Sequence, residues 1–497
     1  MTTRAAQARG RTIRLGWSTA WKRVLADSRN DLLPDPLEYA DYRHNAAPHI
    51  ERAKQQLKQG CTPHDIFEID VPKRGFALRP GTTLLIEDRL VYQALVDKFA
   101  LRVDSRLEDD SVVYGYRVRS SGSNMFRHGV SMWLKKQDMI RDGYRRDGYR
   151  YLLNTDVVAY FEHINHRILD EQLASHGVDA EVRRCLSRLL SHWSDNRGSG
   201  IPQGHDPSSL LGNIYLDPVD KAMVRAGYRY FRWNDDIYVF AHSKADLRRA
   251  LKLLNAELRK LRLYIQEAKT DIYEGTRILD LVDKRRDELA ALGYAVEADE
   301  RVLALHEIKA ILRDMRSSKA FNESHFVKCL NELRKLKSGL AVDRALRRLE
   351  ALAHRSDDVV RYLTLFINRK RVQGALVDFL RDCEKNMYSW QELWFVWALR
   401  QARSVPREFL NFCRDRTLNA EHWACRSNYA LLLGKFGDAA DINMIASHIS
   451  DRSNLLEARA FVAAIEGMER SRRNDVLARL ARAHPELADV VTYVRSR

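Results

Sequence analysis

The sequence predicts an α+β fold followed by an all-helical tail, on three observations. In Tyr228-Arg-Tyr-Phe-Arg-Trp233-Asn-Asp-Asp236-Ile-Tyr-Val-Phe240, two apolar, aromatic-rich runs flank a polar tip, the pattern of a β-hairpin. Around it the elements run strand (152–158), helices (165–176, 180–193 and one from Ser208), hairpin, helix (244–261), strand (263–273). That order is the split β-α-β layout of a ferredoxin-like antiparallel sheet. Beyond residue 275 Gly and Pro thin out, and helical patterns begin near Asp357, Trp390, Cys425 and Glu457. Their spacing of roughly 32–35 residues suggests stacked α-hairpins of HEAT-like type.

The elements before the sheet read as follows. Trp17, Trp21, Val24 and Leu25 fall at helical spacing, a second helix runs over about 47–57, and Thr62-Pro63-His64 breaks it. Ile66 to Val71 alternates as a strand, Pro72-Lys73-Arg74-Gly75 is a turn, and an amphipathic helix begins near Glu87. Another helix spans Val130 to Ile140, followed by a basic loop from Gly143 to Arg150. Pro218 should kink or stop the helix that opens near Ser208. The domains expected are a basic helical extension (1–60), a second region (61–150), the sheet region (151–275), a helical connector (276–355) and the repeat domain (356–497).

A chain of 497 residues is long enough for about three domains. Lys and Arg number 83 against 67 Asp and Glu, a net charge of +16. That excess suits a polyanionic partner, whose phosphates release counterions on binding, although long solvated helices account for charge alone equally well. No apolar run approaches the ~18 residues of a membrane span. Arg4, Arg9, Arg11 and Arg14 lack the apolar segment that would follow in a secretory signal, so a cytoplasmic protein is expected. Six scattered cysteines, none in a Cys-x-x-Cys pair, argue for reduced, packed thiols.

Adjacent carboxylates at Asp235 and Asp236 repel unless a cation or water screens them; a plain Asn-Asp-Asp turn is the bland alternative. Asp156, at the end of the first sheet strand, supplies a third carboxylate to the same sheet edge. Such a set suits two Mg²⁺ ions about 3.5–4 Å apart that clamp an attacking 3′-oxygen and a departing pyrophosphate. The carbonyl of Val157 is a further candidate ligand. Phe161 is placed to lie under an incoming sugar and exclude a 2′-hydroxyl, unless it and Tyr160 are simply core aromatics. In Gly200-Ile-Pro-Gln203-Gly204-His-Asp-Pro-Ser208, the Gly turn lets backbone approach a base pair, and Gln203 can offer its amide to the nucleotide.

With these residues in order, the chain resembles a reverse transcriptase. The likeness rests on Asp156 to Phe161 (motif A), Ile201-Pro-Gln-Gly204 with Ser208 and Asn213 (B), Trp233-Asn-Asp-Asp236 (C) and Leu263-Tyr-Ile-Gln-Glu-Ala-Lys269-Thr270 (D). Upstream, Val71-Pro-Lys73-Arg-Gly-Phe-Ala-Leu-Arg79-Pro80, Glu87-Asp-Arg89 and Val113-Tyr-Gly-Tyr-Arg117 are similar to the family's fingers segments. The resemblance implies right-hand polymerase fingers over 61–150 and a palm over 151–275, with a thumb-like connector behind. It implies two Mg²⁺ ions held by Asp156, Val157, Asp235 and Asp236. It implies that Lys73 and Arg79 bind the triphosphate, that Phe161, Gln203 and Gly204 bind the dNTP, and that Lys269 protonates or steadies pyrophosphate. The chain departs from the usual pattern at Trp233-Asn234, at His205-Asp206-Pro207 and at Glu162. A reverse transcriptase half followed by a HEAT-like tail is similar to the abortive-infection and "unknown group" enzymes, which implies bacterial antiphage defence. It also implies dNTP substrates, a structured non-coding RNA, a DNA product and no membrane, and it allows non-templated or protein-primed synthesis and a homo-oligomer. A retron or group II-type enzyme, a catalytically silent nucleic-acid scaffold and an RNA-dependent RNA polymerase are the alternatives.

Overall fold

The computed structural model describes residues 13–75, 77–282, 301–315, 321–452 and 454–497. Arg4, Arg9 and Arg11 of the basic N-terminus, Phe76 of the fingers segment and parts of the 276–355 connector lie outside the described residues. The chain divides into two compact units. The first holds described residues up to Asp31, then 47–67 and 82–282; the second holds 32–46, 68–81 and the described residues from 301 onward.

Six strands are formed by β1 (Phe67–Pro72), β2 (Leu78–Thr83), β3 (Tyr151–Thr155), β4 (Arg229–Trp233), β5 (Asp236–Ala241) and β6 (Asp271–Glu274). The last four make one antiparallel sheet in the order β4-β5-β3-β6, the split β-α-β arrangement. Register pairs Leu152 with Phe240 and Thr155 with Ile237, so the C-terminal end of β3 meets the start of β5. The first unit also contains the helices α1 (Trp17–Asp27), α2 (Ala46–Lys58), α3 (Ile86–Asp97), α4 (Gly129–Arg145), α5 (His166–Ser175), α6 (Ala180–Trp193), α7 (Asp206–Arg225) and α8 (Lys244–Lys260).

Alternation along the strands decides which side chains each sheet face buries. On one face Leu152, Phe231, Tyr238 and Phe240 pack with Met132 and Ile140 of α4 and with Ile278 of the turn after β6. Phe231 and Tyr238 stack at 4.9 Å with ring planes 5° apart. The other face is covered by α7 against β4 and by α8 against β3 and β5.

Three expectations need correction. Gly143 to Arg145, read as loop, are the last turn of α4. A Cβ on Gly143 would stand 2.5 Å from the Phe240 ring, so this glycine lets the helix reach the sheet. Pro218 does not stop α7, which runs unbroken from Asp206 to Arg225. Most of the helix is buried, and packing of both its halves outweighs the one backbone bond that proline forfeits. The run 263–273 is not a continuous strand. Arg262 takes φ +59, a 3₁₀ turn occupies Glu267–Lys269, and only β6 joins the sheet.

In the second unit, α9 (Glu323–Lys335), α10 (Ser356–Leu363), α11 (Ser389–Arg400), α12 (Trp423–Phe436), α13 (Leu455–Ala464) and α14 (Ala488–Arg495) pack in a row, each on the next. A Cβ on Gly434 would fall 2.1 Å from the Ala464 carbonyl oxygen, which shows how closely α12 approaches the end of α13. Segment 32–46 is fastened to this row. Arg459, fully buried, donates to Asp35 at 2.8 Å and to both oxygens of Asp41 at 2.7 and 2.9 Å, and lies 3.8 Å over the Tyr42 ring.

Candidate active site

Asp156 follows directly on β3, where the chain continues alongside motif D. Gln266 N donates to the Asp156 carbonyl at 2.8 Å, Val158 N donates to the Tyr264 carbonyl at 2.9 Å, and Val157 bridges Ile265. Motif D is thereby held beside motif A by backbone, and the Lys269 ammonium donates to Asp156 Oδ2. The hairpin joins β4 to β5 through two residues, Asn234 and Asp235. Asn234 adopts φ +55, a conformation asparagine tolerates, and its amide donates to Asp235 Oδ1 at 2.7 Å. Asp236 opens β5 opposite Trp233.

The three carboxylates come together. Burial, then the neighbouring Asp156 charge, pushes Asp235 up to about 7. The same two causes raise Asp236, against which Lys136 and Lys269 pull down. Asp156 Oδ1 is buried and has no geometric hydrogen-bond donor among the described residues. Crowded anions, an acceptor without a donor and one lysine on the opposite oxygen describe a place built for further positive charge.

Residues 71–296 match the family model described as "Reverse transcriptase (RNA-dependent DNA polymerase)". The chain carries a reverse transcriptase domain. By enzyme class it is an RNA-directed DNA polymerase. Among solved structures it is similar to apo telomerase from Candida tropicalis, at 12% identity and a TM-score of 0.35, over 91% of this chain and 74% of that one. It is also similar to telomerase from Candida albicans in complex with a TWJ fragment of telomeric RNA. There the identity is 12% and the TM-score 0.33, over 88% of this chain and 68% of that one. No curated protein matches.

Within the reverse transcriptase domain, motifs A and B are tied by Ile201 N donating to the Phe161 carbonyl at 3.0 Å. Phe161 is half-buried beside Tyr160, whose hydroxyl donates to the Gly212 carbonyl of α7 at 2.5 Å. A Cβ at Gly212 would crowd the Tyr160 ring at 3.2 Å and touch the Phe161 ring at 3.7 Å. Gln203 is held through its carbonyl, which accepts from Thr82 Oγ1 at 2.9 Å, and Gly204 takes φ +98. Lys73 and Arg79 belong to the second unit, on the β1–β2 hairpin. Lys73 is exposed; burial lowers the Arg79 pKa, with Asp357 raising it and Arg355 lowering it further.

Three residues escaped the sequence reading. Arg232, buried inside β4, donates to both oxygens of Asp220 at 2.8 Å, to Asn213 Oδ1 at 2.7 Å and to the Asn234 carbonyl at 3.1 Å. Asn213 in turn donates to the Gly115 carbonyl at 2.8 Å. One guanidinium thus joins motif B, motif C and the 113–117 segment. The signal was a charged residue in an otherwise apolar strand. Lys136 lies in the buried register Met132, Lys136, Ile140 of α4, its ammonium 3.1 Å from the Tyr238 hydroxyl. Burial lowers its pKa, and Asp236 opposes that. Tyr116 holds φ +56, sits edge-on to Phe126 at 5.3 Å, and is raised by burial and then by Asp235. Nothing in the sequence marks it beyond its place after Gly115.

Proposed function

We propose that the chain copies RNA into DNA by two-metal nucleotidyl transfer at Asp156, Asp235 and Asp236. The observation that carries this reading is the meeting of the three carboxylates around a buried Asp156 oxygen that has no donor among the described residues. The donor set fits Mg²⁺, because hard divalent cations take carboxylate and carbonyl oxygens, and the Val157 carbonyl is the fourth candidate ligand. Bound there, the ions supply Lewis-acid activation of the 3′-oxygen and charge neutralisation on the phosphates.

The chain's own residues do the rest. The carboxylates bind and orient; the Arg232 network holds the Asp235 turn in place; Lys269 delivers positive charge, and a proton if needed, toward the leaving pyrophosphate. Phe161 closes the space a ribose 2′-hydroxyl would need, and Gln203 and Gly204 hold the base end. The net charge of +16 supports an RNA template and DNA product as partners. The finer reading keeps a structured non-coding RNA as template, a HEAT-like second unit and a role in antiphage defence. The row of stacked helices supports the HEAT-like part of it.

The test is incorporation of dNTPs by purified protein on an RNA template, with and without chelator, against Asp235→Ala. Mg²⁺-dependent synthesis abolished in the variant supports the reading. Equal incorporation by wild type and variant overturns it. Plaque counts on bacteria expressing either form test the defence role.

A further inference from the structure

Behind motif B lies a second polar cluster that the polymerase reading does not use. His205, the residue after Gly204, is 1% exposed, and neither ring nitrogen has a hydrogen-bond partner among the described residues. A buried imidazole nitrogen left without a partner is costly, so a ligand for it is expected. Asp27 at the end of α1 and Asp31 just beyond it are buried beside it. One ligand atom from each of Asp27, Asp31 and His205 lies within 4.8 Å of the others. Arg89 of α3 donates to Asp27 Oδ2 at 2.8 Å and to the two oxygens of Asp31 at 2.6 and 2.7 Å. Asp206 adds its carboxyl beside Asp27, and its backbone N donates to Asp27 Oδ2 at 3.3 Å.

Asp27 and Asp31 bring two carboxylates to the buried imidazole, and Arg89 offsets one of their charges. A carboxylate oxygen has two lone pairs, so one that accepts from a guanidinium can also ligate a metal. One neutral imidazole with two carboxylates is a donor set for a borderline divalent ion, zinc above all, whereas Mg²⁺ prefers oxygen alone.

We propose that Asp27, Asp31 and His205 bind one divalent transition-metal ion of the zinc class, with Arg89 bracing the carboxylates from outside. The ion joins the end of α1 to the start of α7 and so anchors the loop carrying Gln203 and Gly204. It is separate from the Mg²⁺ set, and its detection does not depend on polymerase activity.

Metal content settles it. Protein expressed with zinc, freed of loose ions by dialysis against a weak chelator and measured by inductively coupled plasma mass spectrometry, should retain about one zinc per chain. Asp156→Asn should retain the same amount, whereas His205→Asn should lose at least tenfold. Should His205→Asn not fold, wild-type protein stripped with a strong chelator is reloaded with Co²⁺. Absorption bands of cobalt bound through nitrogen and oxygen, at one equivalent, support the site. Fewer than a tenth of an equivalent of zinc in wild type, equal zinc in His205→Asn, or no cobalt bands overturns the proposal. Incorporation of dNTPs by such zinc-free protein supplied with Mg²⁺ would leave the polymerase reading intact while this one falls.

Discussion

Replacing Asp235 with asparagine removes one of three crowded charges while keeping its shape and its bond from Asn234. In the metal-free fold Asp235 keeps its proton until about pH 7, against an ordinary value of 3.8. A carboxyl raised in this way costs stability as pH rises, because the unfolded chain releases the proton earlier; the penalty is absent near pH 4 and complete above pH 7. A gap of about three units corresponds to roughly 4 kcal/mol. Asparagine stays buried as a polar group and keeps part of the desolvation cost, so roughly half of that should be recovered. At 2–4 °C per kcal/mol for a unit of this size, Asp235→Asn should raise the first unfolding transition by roughly 4–8 °C in EDTA at pH 8. The gain should shrink steadily toward pH 4. Added Mg²⁺ should stabilise wild type and leave the variant nearly unmoved, with polymerase activity lost. Scanning calorimetry at several pH values reads all of this. A lower transition for the variant at pH 8, or a difference independent of pH, would refute the electrostatic account of the site.

Other outcomes follow from the same geometry. Activity should fall as pH drops below about 7, where Asp235 gains its proton, and tenfold more Mg²⁺ should move that limb down by up to about one unit, read in pH–rate profiles. Phe161→Ala should raise incorporation of ribonucleotides relative to deoxynucleotides by at least tenfold in competition assays; an unchanged ratio would remove Phe161 from the sugar site. Arg232→Met leaves Asp220 buried without its cation and should cost about 3–5 kcal/mol in denaturant titrations. Gly434→Ala must push α12 away from the Ala464 carbonyl, and a loss of about 1–3 kcal/mol is expected in the second unit's unfolding.

The hairpin was legible because strand alternation and a short polar turn are local signals, and the Asp pair sat at its tip. The order of sheet elements followed from the same periodicities. What the sequence hid depends on distance along the chain. Residues 32–46 join the C-terminal helices because Asp35 and Asp41 meet Arg459, 424 and 418 positions away. Gly143 looked like a loop residue because its reason for being glycine, the Phe240 ring, comes from another element. The polar wiring of the site was invisible for the same cause. Asn213 was noticed as part of motif B, but its bond to Arg232 required the folded strand.

The bracing of the Asp235 turn by Arg232 bears on how turnover proceeds. A loop clamped through its own carbonyl to a buried guanidinium has little freedom to swing aside between catalytic cycles. Lys269 is held differently: its 3₁₀ turn is tied to motif A by backbone, while its ammonium reaches Asp156 Oδ2 on a side chain 64% open to solvent. Under the proposed function, movement between loading and product departure would fall to that side chain, with the aspartates as a stationary anvil.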